Sequence, residues 1–226
     1  MHVLIDGDII GYRIGFASED ESPKIALART ATFIEEILWE DLQTETYQGY
    51  ITGKDNFRYE IAKTAPYKGN RTQPKPKHLN LIREYLVDAW DFKVSEGEEA
   101  DDCIAIEHVK HNYQSVIASI DKDFLQLQGK HWNFVKKEML YISDEQAVLN
   151  FYRQVLTGDR TDNIIGIKGI GPVKADKILK HCESSAEMYL ACVEAYGGDE
   201  QRVIENARLL HLRRSVGEIW QPPKGE

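Results

Sequence analysis

Two short apolar runs that each end in an aspartate set the tightest limit on how this chain can fold. "HVLID" (2–6) and "QSVIASID" (114–121) read as buried strands. Between and after them come stretches with helical patterning. Ser22 and Pro23 open a helix on "KIALARTATFIEEILWEDL", as N-cap and first-turn proline. Leu79, Ile82 and Leu86 give helical spacing within 77–90. Ser143 caps a helix over 144–156, and two further helices fall within 185–214, separated by "YGGDE". Additional strands are expected at 46–52, at "FKV", and in a pair formed by "HWNFV" and "MLYIS". A short helix is expected on "KDFLQL", and the tail 221–226 is expected to fray.

Strands alternating with helices imply an α/β fold with a mainly parallel sheet flanked by helices. The chain divides into an α/β core over 1–157 and a helical region over 158–226, packed as one unit. In such sheets ligands bind outside the carboxyl ends of the strands. The two aspartates, Asp6 and Asp121, therefore stand where a site belongs.

Acids recur in two further segments. "EGEEADDCIAIEHV" (96–109) crowds Glu98, Glu99, Asp101 and Asp102 at the start of a helix, although like charges three and four apart repel. "GDRTDN" adds Asp159 and Asp162, and "SIDKDF" places Asp123 beside Asp121. Each group has an ordinary explanation. First-turn acids complement the helix dipole, and aspartates form turns. All four together fit a second reading, in which Asp6, Glu99, Asp101, Asp102, Asp121, Asp123, Asp159 and Asp162 bind divalent metal. Hard cations such as Mg²⁺ take oxygen ligands, and a pair of ions can clamp the attacking and leaving oxygens of a phosphodiester.

The formal net charge of −9 opposes a nucleic-acid partner at face value. Setting those eight acids aside leaves about −1 (−9 + 8), so the remaining surface is free to carry basic patches. Two are visible. "KTAPYKGNRTQPKPKH" (63–78) holds Lys63, Lys68, Arg71, Lys75 and Lys77 with Tyr67 and no acid, which suits a phosphate backbone and an unstacked base. A solvated proline-rich loop explains it equally well. "GIKGIGPVKADKIL" (166–179) resembles a helix-hairpin-helix. Gly169 and Gly171 allow close backbone approach, Pro172 opens a helix whose N–H groups can receive a phosphate, and Lys168, Lys174 and Lys177 flank it.

No apolar run is long enough to span a bilayer, and Asp6 interrupts the N-terminus too early for a signal peptide. Three cysteines without a C-x-x-C pair suggest reduced thiols in a cytoplasm.

"LIDGD", "FRYEIAKTAPYKGNR", "EEADD", "SIDKDFLQL" and "GDRTDNIIGIKGIGPVKADKIL" occur in the order found in 5′-nucleases of the flap endonuclease superfamily. The chain resembles the compact bacteriophage 5′→3′ exonucleases and is similar to the 5′-nuclease domain of bacterial DNA polymerase I. That resemblance implies a PIN-like core with a helix-hairpin-helix (H2TH) element and hydrolysis of phosphodiesters near 5′ ends of duplex, nicked or flapped DNA. It further implies that RNA primers and RNA/DNA hybrids are among the substrates and that the chain acts as a monomer. It implies two Mg²⁺ ions, replaceable by Mn²⁺. Asp6, Glu99, Asp101 and Asp102 would hold one, and Asp121, Asp123, Asp159 and Asp162 would hold or tune the other. Lys68 and Arg71 would neutralise charge at the scissile phosphate, with Arg13 in support, and Tyr67 would stack on a base. Carbonyls near Ile167 and Ile170 would hold a monovalent ion such as K⁺.

One departure stands out. The family usually places an aspartate shortly before "FR", where this chain has Gly53, with Asp55 two residues on. The segment between Tyr67 and Glu96 is also short for a large helical arch, which suits progressive attack on duplex ends. Two other readings remain: a PIN-type ribonuclease, and a DNA-binding homologue without catalysis.

Overall fold

A computed structural model describes residues 1–224. In chain order the elements are β1 (Val3–Asp6), α1 (Gly7–Ala17), α2 (Pro23–Glu35), a π-helical turn (Glu36–Asp41), β2 (Tyr47–Ile51), α3 (Arg58–Ile61), α4 (Leu79–Trp90), β3 (Lys93–Val94), α5 (Ala100–Lys110), β4 (Val116–Ala118), a 3₁₀ turn (Lys122–Gln126), β5 (Gly129–Asn133), β6 (Glu138–Ile142), α6 (Asp144–Thr157), β7 (Gly158–Asp159), β8 (Ile164–Ile165), α7 (Pro172–Leu179), α8 (Ser185–Ala195) and α9 (Glu200–Leu210). Among the described residues no helix is long and apolar enough to cross a membrane.

The chain forms two compact units. The first comprises Met1–Asp55, Gln73–Phe124 and Gly129–Ile142. The second comprises Asn56–Thr72, Leu125–Gln128 and the chain from Ser143 onward. The division differs from the expected boundary at 157/158, because α6 and the basic segment around Tyr67 belong to the second unit's core. Residues 225 and 226 of the tail expected to fray lie outside the described residues; Trp220, just before that tail, packs against Phe151 and Tyr189.

The first unit is built on a six-stranded sheet of order β3-β2-β1-β4-β5-β6. All neighbours run parallel except the β5–β6 hairpin. The mainly parallel sheet read from the sequence is therefore present. Val3 and Ile5 of the central strand join a core with Ile10, Ile34, Ile82, Leu86, Val116 and Ala118. Leu4, equally buried, alternates to the opposite face, and α5 packs on β1, β2 and β4. Helix α1 is absent from the sequence reading. Gly11 and Gly15 explain both its existence and why it escapes notice: a Cβ on Gly11 would lie 3.1 Å from Leu79 and one on Gly15 2.7 Å from Pro76. The glycines weaken local helix propensity but let α1 lie close against α4 and the loop before it.

The second unit packs α6, α7, α8 and α9 around Phe151, Tyr152, Val155, Leu179, Cys192, Val203 and Ala207. A two-stranded antiparallel ribbon, β7–β8, follows α6. Ser143 caps α6, and Pro172 opens α7 after Gly171, as expected. The loop 166–171 is preceded by β8, so the chain enters the hairpin from a strand and not from a separate short helix. Arg58 is almost fully buried here. Its Nε donates to the Leu209 carbonyl (2.8 Å) and Nη2 to the His211 carbonyl (2.9 Å), while its guanidinium lies 4.6 Å from the Phe57 ring. Arg58→Ala leaves buried carbonyls unpaired at the end of α9, and chemical denaturation is expected to show a loss of about 3 kcal/mol.

Candidate functional site

Parallel strands send their carboxyl ends to one edge, and in the first unit the acids collect there. The sheet order reverses direction between β1 and β4, each reached from the other side of the central pair, which makes their exits the switch point of the fold. Asp6 ends β1 and is 1 % exposed. Its Oδ1 accepts the Ile9 N–H (3.1 Å), which caps α1, and its Oδ2 accepts the Ser119 hydroxyl (2.7 Å) from the exit of β4. Ser119 Oγ in turn accepts the Asp121 N–H (3.0 Å), and Asp121 Oδ1 accepts the Asp123 N–H (2.9 Å). Burial raises the Asp6 carboxyl to about 7, with the charges of Asp8 and Asp121 adding to the rise against the two hydrogen bonds.

The β2 exit is organised by Thr52. Its N–H donates to both Asp8 oxygens (3.3 and 3.1 Å) and its hydroxyl accepts the Ala100 N–H at the start of α5 (2.9 Å). Arg83 of α4 donates from Nη1 to Asp8 Oδ1 (2.6 Å) and from Nη2 to the Thr52 carbonyl. At α5, Glu99 is the N-cap and its backbone N–H donates to Asp102 Oδ2 (3.2 Å), one half of a capping box. The ordinary explanation of the acid cluster is thus realised at Glu99 and Asp102. Both are buried all the same, and Asp102 is completely so. A capping acid has no need of that burial.

Gly53 is a requirement of the backbone. A Cβ there would lie 2.0 Å from the Ser95 carbonyl oxygen, so no acid fits at this position without moving the chain. Its N–H donates to Ser95 Oγ (3.0 Å), which donates to the Glu98 carbonyl (2.6 Å), tying the β2 exit to the loop before α5. Asp55 is exposed, with a left-handed backbone (φ 64°). Arg13 is exposed on α1, its guanidinium 5.9 Å from the Phe33 ring.

In the second unit, the acid loop and the basic loop hold each other. Asp159 Oδ1 accepts the N–H groups of Thr161 (2.6 Å) and Asp162 (3.3 Å), an Asx-type turn. Asp162 receives Arg71 Nη2 (2.6 Å), the Tyr67 hydroxyl (2.7 Å) and, at 3.7 Å, the Lys68 ammonium. The Lys68 N–H donates to the Asp162 carbonyl (2.9 Å). Tyr67 differs from the expectation of an accessible stacking ring. It is 4 % exposed and meets Tyr59 edge-on, because its hydroxyl is drawn inward to Asp162. The far end of the basic loop is held by Glu205 of α9, which accepts the N–H groups of Lys63 and Thr64 (2.7 Å each) and the Thr64 hydroxyl (2.7 Å).

At the hairpin, Lys168, Gly169, Gly171, Lys174 and Lys177 are all exposed. Gly169 has φ +80°, the left-handed region that favours glycine. Lys174 Nζ donates to the Gly169 carbonyl (2.8 Å), and the Ile167 carbonyl accepts the Ile170 N–H (3.1 Å).

The pattern of the family described as "5'-3' exonuclease, N-terminal resolvase-like domain" matches residues 1–153. The chain belongs to that family. It is 30 % identical over 221 residues to a 5'-3' exonuclease of Mycoplasma genitalium, covering 83 % of this chain and 74 % of that one. It is 27 % identical over 223 residues to DNA polymerase I of Bacillus caldotenax, where it covers 88 % of this chain but spans only 25 % of the polymerase. Among solved structures, the D15 protein of T5 co-crystallised with metal ions has the same fold: TM-score 0.70, 21 % identity, 93 % of this chain and 89 % of that one covered.

The donor chemistry of the first unit fits a hard divalent cation, since Asp6, Glu99, Asp101, Asp102, Asp121 and Asp123 offer oxygen alone and Asp6 is buried beside two further negative charges. Among the described residues, no three His, Cys, Asp or Glu side chains are arranged to hold an ion unaided. Oxygens of Asp6, Glu99, Asp102 and Asp121 accept local N–H or hydroxyl donors.

Because the Asp6 carboxyl is raised from 3.8 to about 7, the folded chain binds a proton there that the unfolded chain does not. Its contribution to stability is full below pH 4 and is lost as pH rises through 7. In EDTA, Asp6→Asn is therefore expected to gain thermal stability relative to the parent at pH 8 and not at pH 4. Melting curves in which the difference is the same at both pH values would contradict this.

Proposed function

We propose that this chain is a divalent-metal-dependent 5′ nuclease that hydrolyses phosphodiesters at or near 5′ ends of duplex, nicked or flapped DNA. The observation that carries the reading is Asp6, sealed at a strand exit beside Asp8 and Asp121 with its carboxyl displaced toward neutrality. A fold that needed only a helix cap there would not crowd acids around it. Membership of the exonuclease family supports the same activity. The named relatives are 5'-3' exonucleases, flap endonucleases and DNA polymerase I, and the solved neighbours include a T5 flap endonuclease complex with DNA and metal ions.

In this reading Asp6, Glu99, Asp101, Asp102, Asp121 and Asp123 hold Mg²⁺, with Mn²⁺ able to substitute. Bound ions would acidify a water and offset charge on the phosphate. The protein contributes positioning. Ser119 fixes Asp6 and Asp121 in one hydrogen-bonded chain, and Thr52 joins α1, β2 and α5. Lys68 and Arg71 neutralise charge on the substrate phosphate, with Asp162 fixing their direction through the contacts that also bury Tyr67. Lys168, Lys174, Lys177 and the N-terminus of α7 hold duplex backbone without reading sequence, as a helix-hairpin-helix does. K⁺ at the Ile167 and Ile170 carbonyls, and action on RNA/DNA hybrids, belong to the same proposal.

The test is incubation of 5′-labelled duplex and 5′-labelled RNA with the full chain, with Mg²⁺ or EDTA. Short labelled DNA products that appear only with metal are expected. Asp121→Ala should abolish them while duplex binding survives. Binding without cleavage in the parent chain, or cleavage of RNA alone, would overturn the proposal. Independently, Lys174→Ala should weaken duplex binding and flatten its salt dependence by about one unit of slope in a titration series. An unchanged slope would remove Lys174 from the phosphate contacts.

A further inference from the structure

We infer that Arg83 is a built-in counter-cation of the carboxylate cluster in the first unit: its guanidinium, clamped between Asp8 and the Thr52 carbonyl, carries part of the positive charge that divalent ions would otherwise supply and so limits how tightly the cluster holds them. The inference rests on the metal reading of that cluster.

Three observations lead to it. Arg83 Nη1 lies 2.6 Å from Asp8 Oδ1 while Nη2 reaches the carbonyl of Thr52, the residue just after β2. A guanidinium can serve two such acceptors in fixed directions, which an ammonium does less well. Second, Asp8 is saturated inside the protein, by Arg83 and by the Thr52 N–H, so it is poorly placed to ligate. Its charge nevertheless stands close to Asp6, since Asp6 caps α1 and Asp8 lies in the first turn of that helix. Third, the β2 exit itself presents Thr52, Gly53 and Lys54, and Gly53 has no room for a side chain. At this corner Asp8 of α1 therefore meets Arg83 of α4, and Thr52–Lys54 after β2 adds no carboxylate. Asp8 and Arg83 are each about one quarter exposed, which leaves their charges incompletely screened by water.

The arrangement has a direct consequence for ion binding. Removing a positive charge near bound cations tightens their binding, and removing the paired negative charge loosens it. With Mg²⁺ and Mn²⁺ as probes and the full chain in calorimetry, Arg83→Gln should bind on the order of three- to tenfold more tightly than the parent. It should melt lower in EDTA and show a larger ion-induced rise in Tm. Asp8→Asn should bind more weakly by a similar factor. Arg83→Lys and the double variant Arg83→Gln/Asp8→Asn should both stay within about twofold of the parent, because each conserves net charge.

A purely structural salt bridge would lower Tm in EDTA for Arg83→Gln and leave ion affinity unchanged or weakened, and that result overturns the inference. If Arg83→Gln does not fold, Asp8→Asn decides, and unchanged affinity there overturns it. A parent chain that responds to neither ion overturns the metal reading and this inference together. A parent that responds, with variants that do not differ from it, overturns this inference alone.

Discussion

A carboxylate sealed at the end of a central strand is the condition that the rest of the first unit accommodates. Parallel pairing aims the exits of β1, β2, β3 and β4 at one edge, so acids that are far apart in the chain are forced into one another's field. Desolvation and like charge both work against ionised Asp6. Much of the surrounding polar structure makes sense as an answer to that. Ser119 and the Ile9 N–H stabilise the anion, and Arg83 compensates Asp8. A neutral Ser or Asn after Ile5 could cap α1 without burying a charge, so an acid there marks a site held at some cost to stability.

Strands, most helices and the residue types of the site are legible in the sequence because their signals are local. "HVLID" and "VIASID" announce buried strands by apolar runs, Ser143 and Pro172 announce helix starts, and the acid-rich turns follow directly. Helix α1 is hidden because Gly7, Gly11 and Gly15, which argue against a helix in isolation, are selected for close packing. The helix opened by Pro23 runs as far as expected but widens into a π-turn at Glu36. The partners that organise the site leave no local pattern. Arg83 meets Asp8 across 75 positions and Ser119 meets Asp6 across 113, and only the folded sheet brings them together.

Tyr67 shows the same limit from the other side. An aromatic between lysines suggests an exposed stacking surface, yet its hydroxyl finds Asp162, 95 positions away, and the ring is buried in consequence. The basic segment is thus a braced structure within the second unit. Asp162 pairs with Lys68 and Arg71, while Asn70 donates to the Arg160 carbonyl and Asn163 to that of Pro66.

Helix α9 has little motif character of its own, but Glu205 grips one end of that segment while Arg202 and Asn206 both donate to the Ile165 carbonyl of the ribbon. Proteolytic nicking in "YGGDE" would therefore do more than shorten the chain. It would cut the covalent tether of a helix that anchors two loops, leaving that hold to the packing of Val203, Asn206 and Ala207 alone.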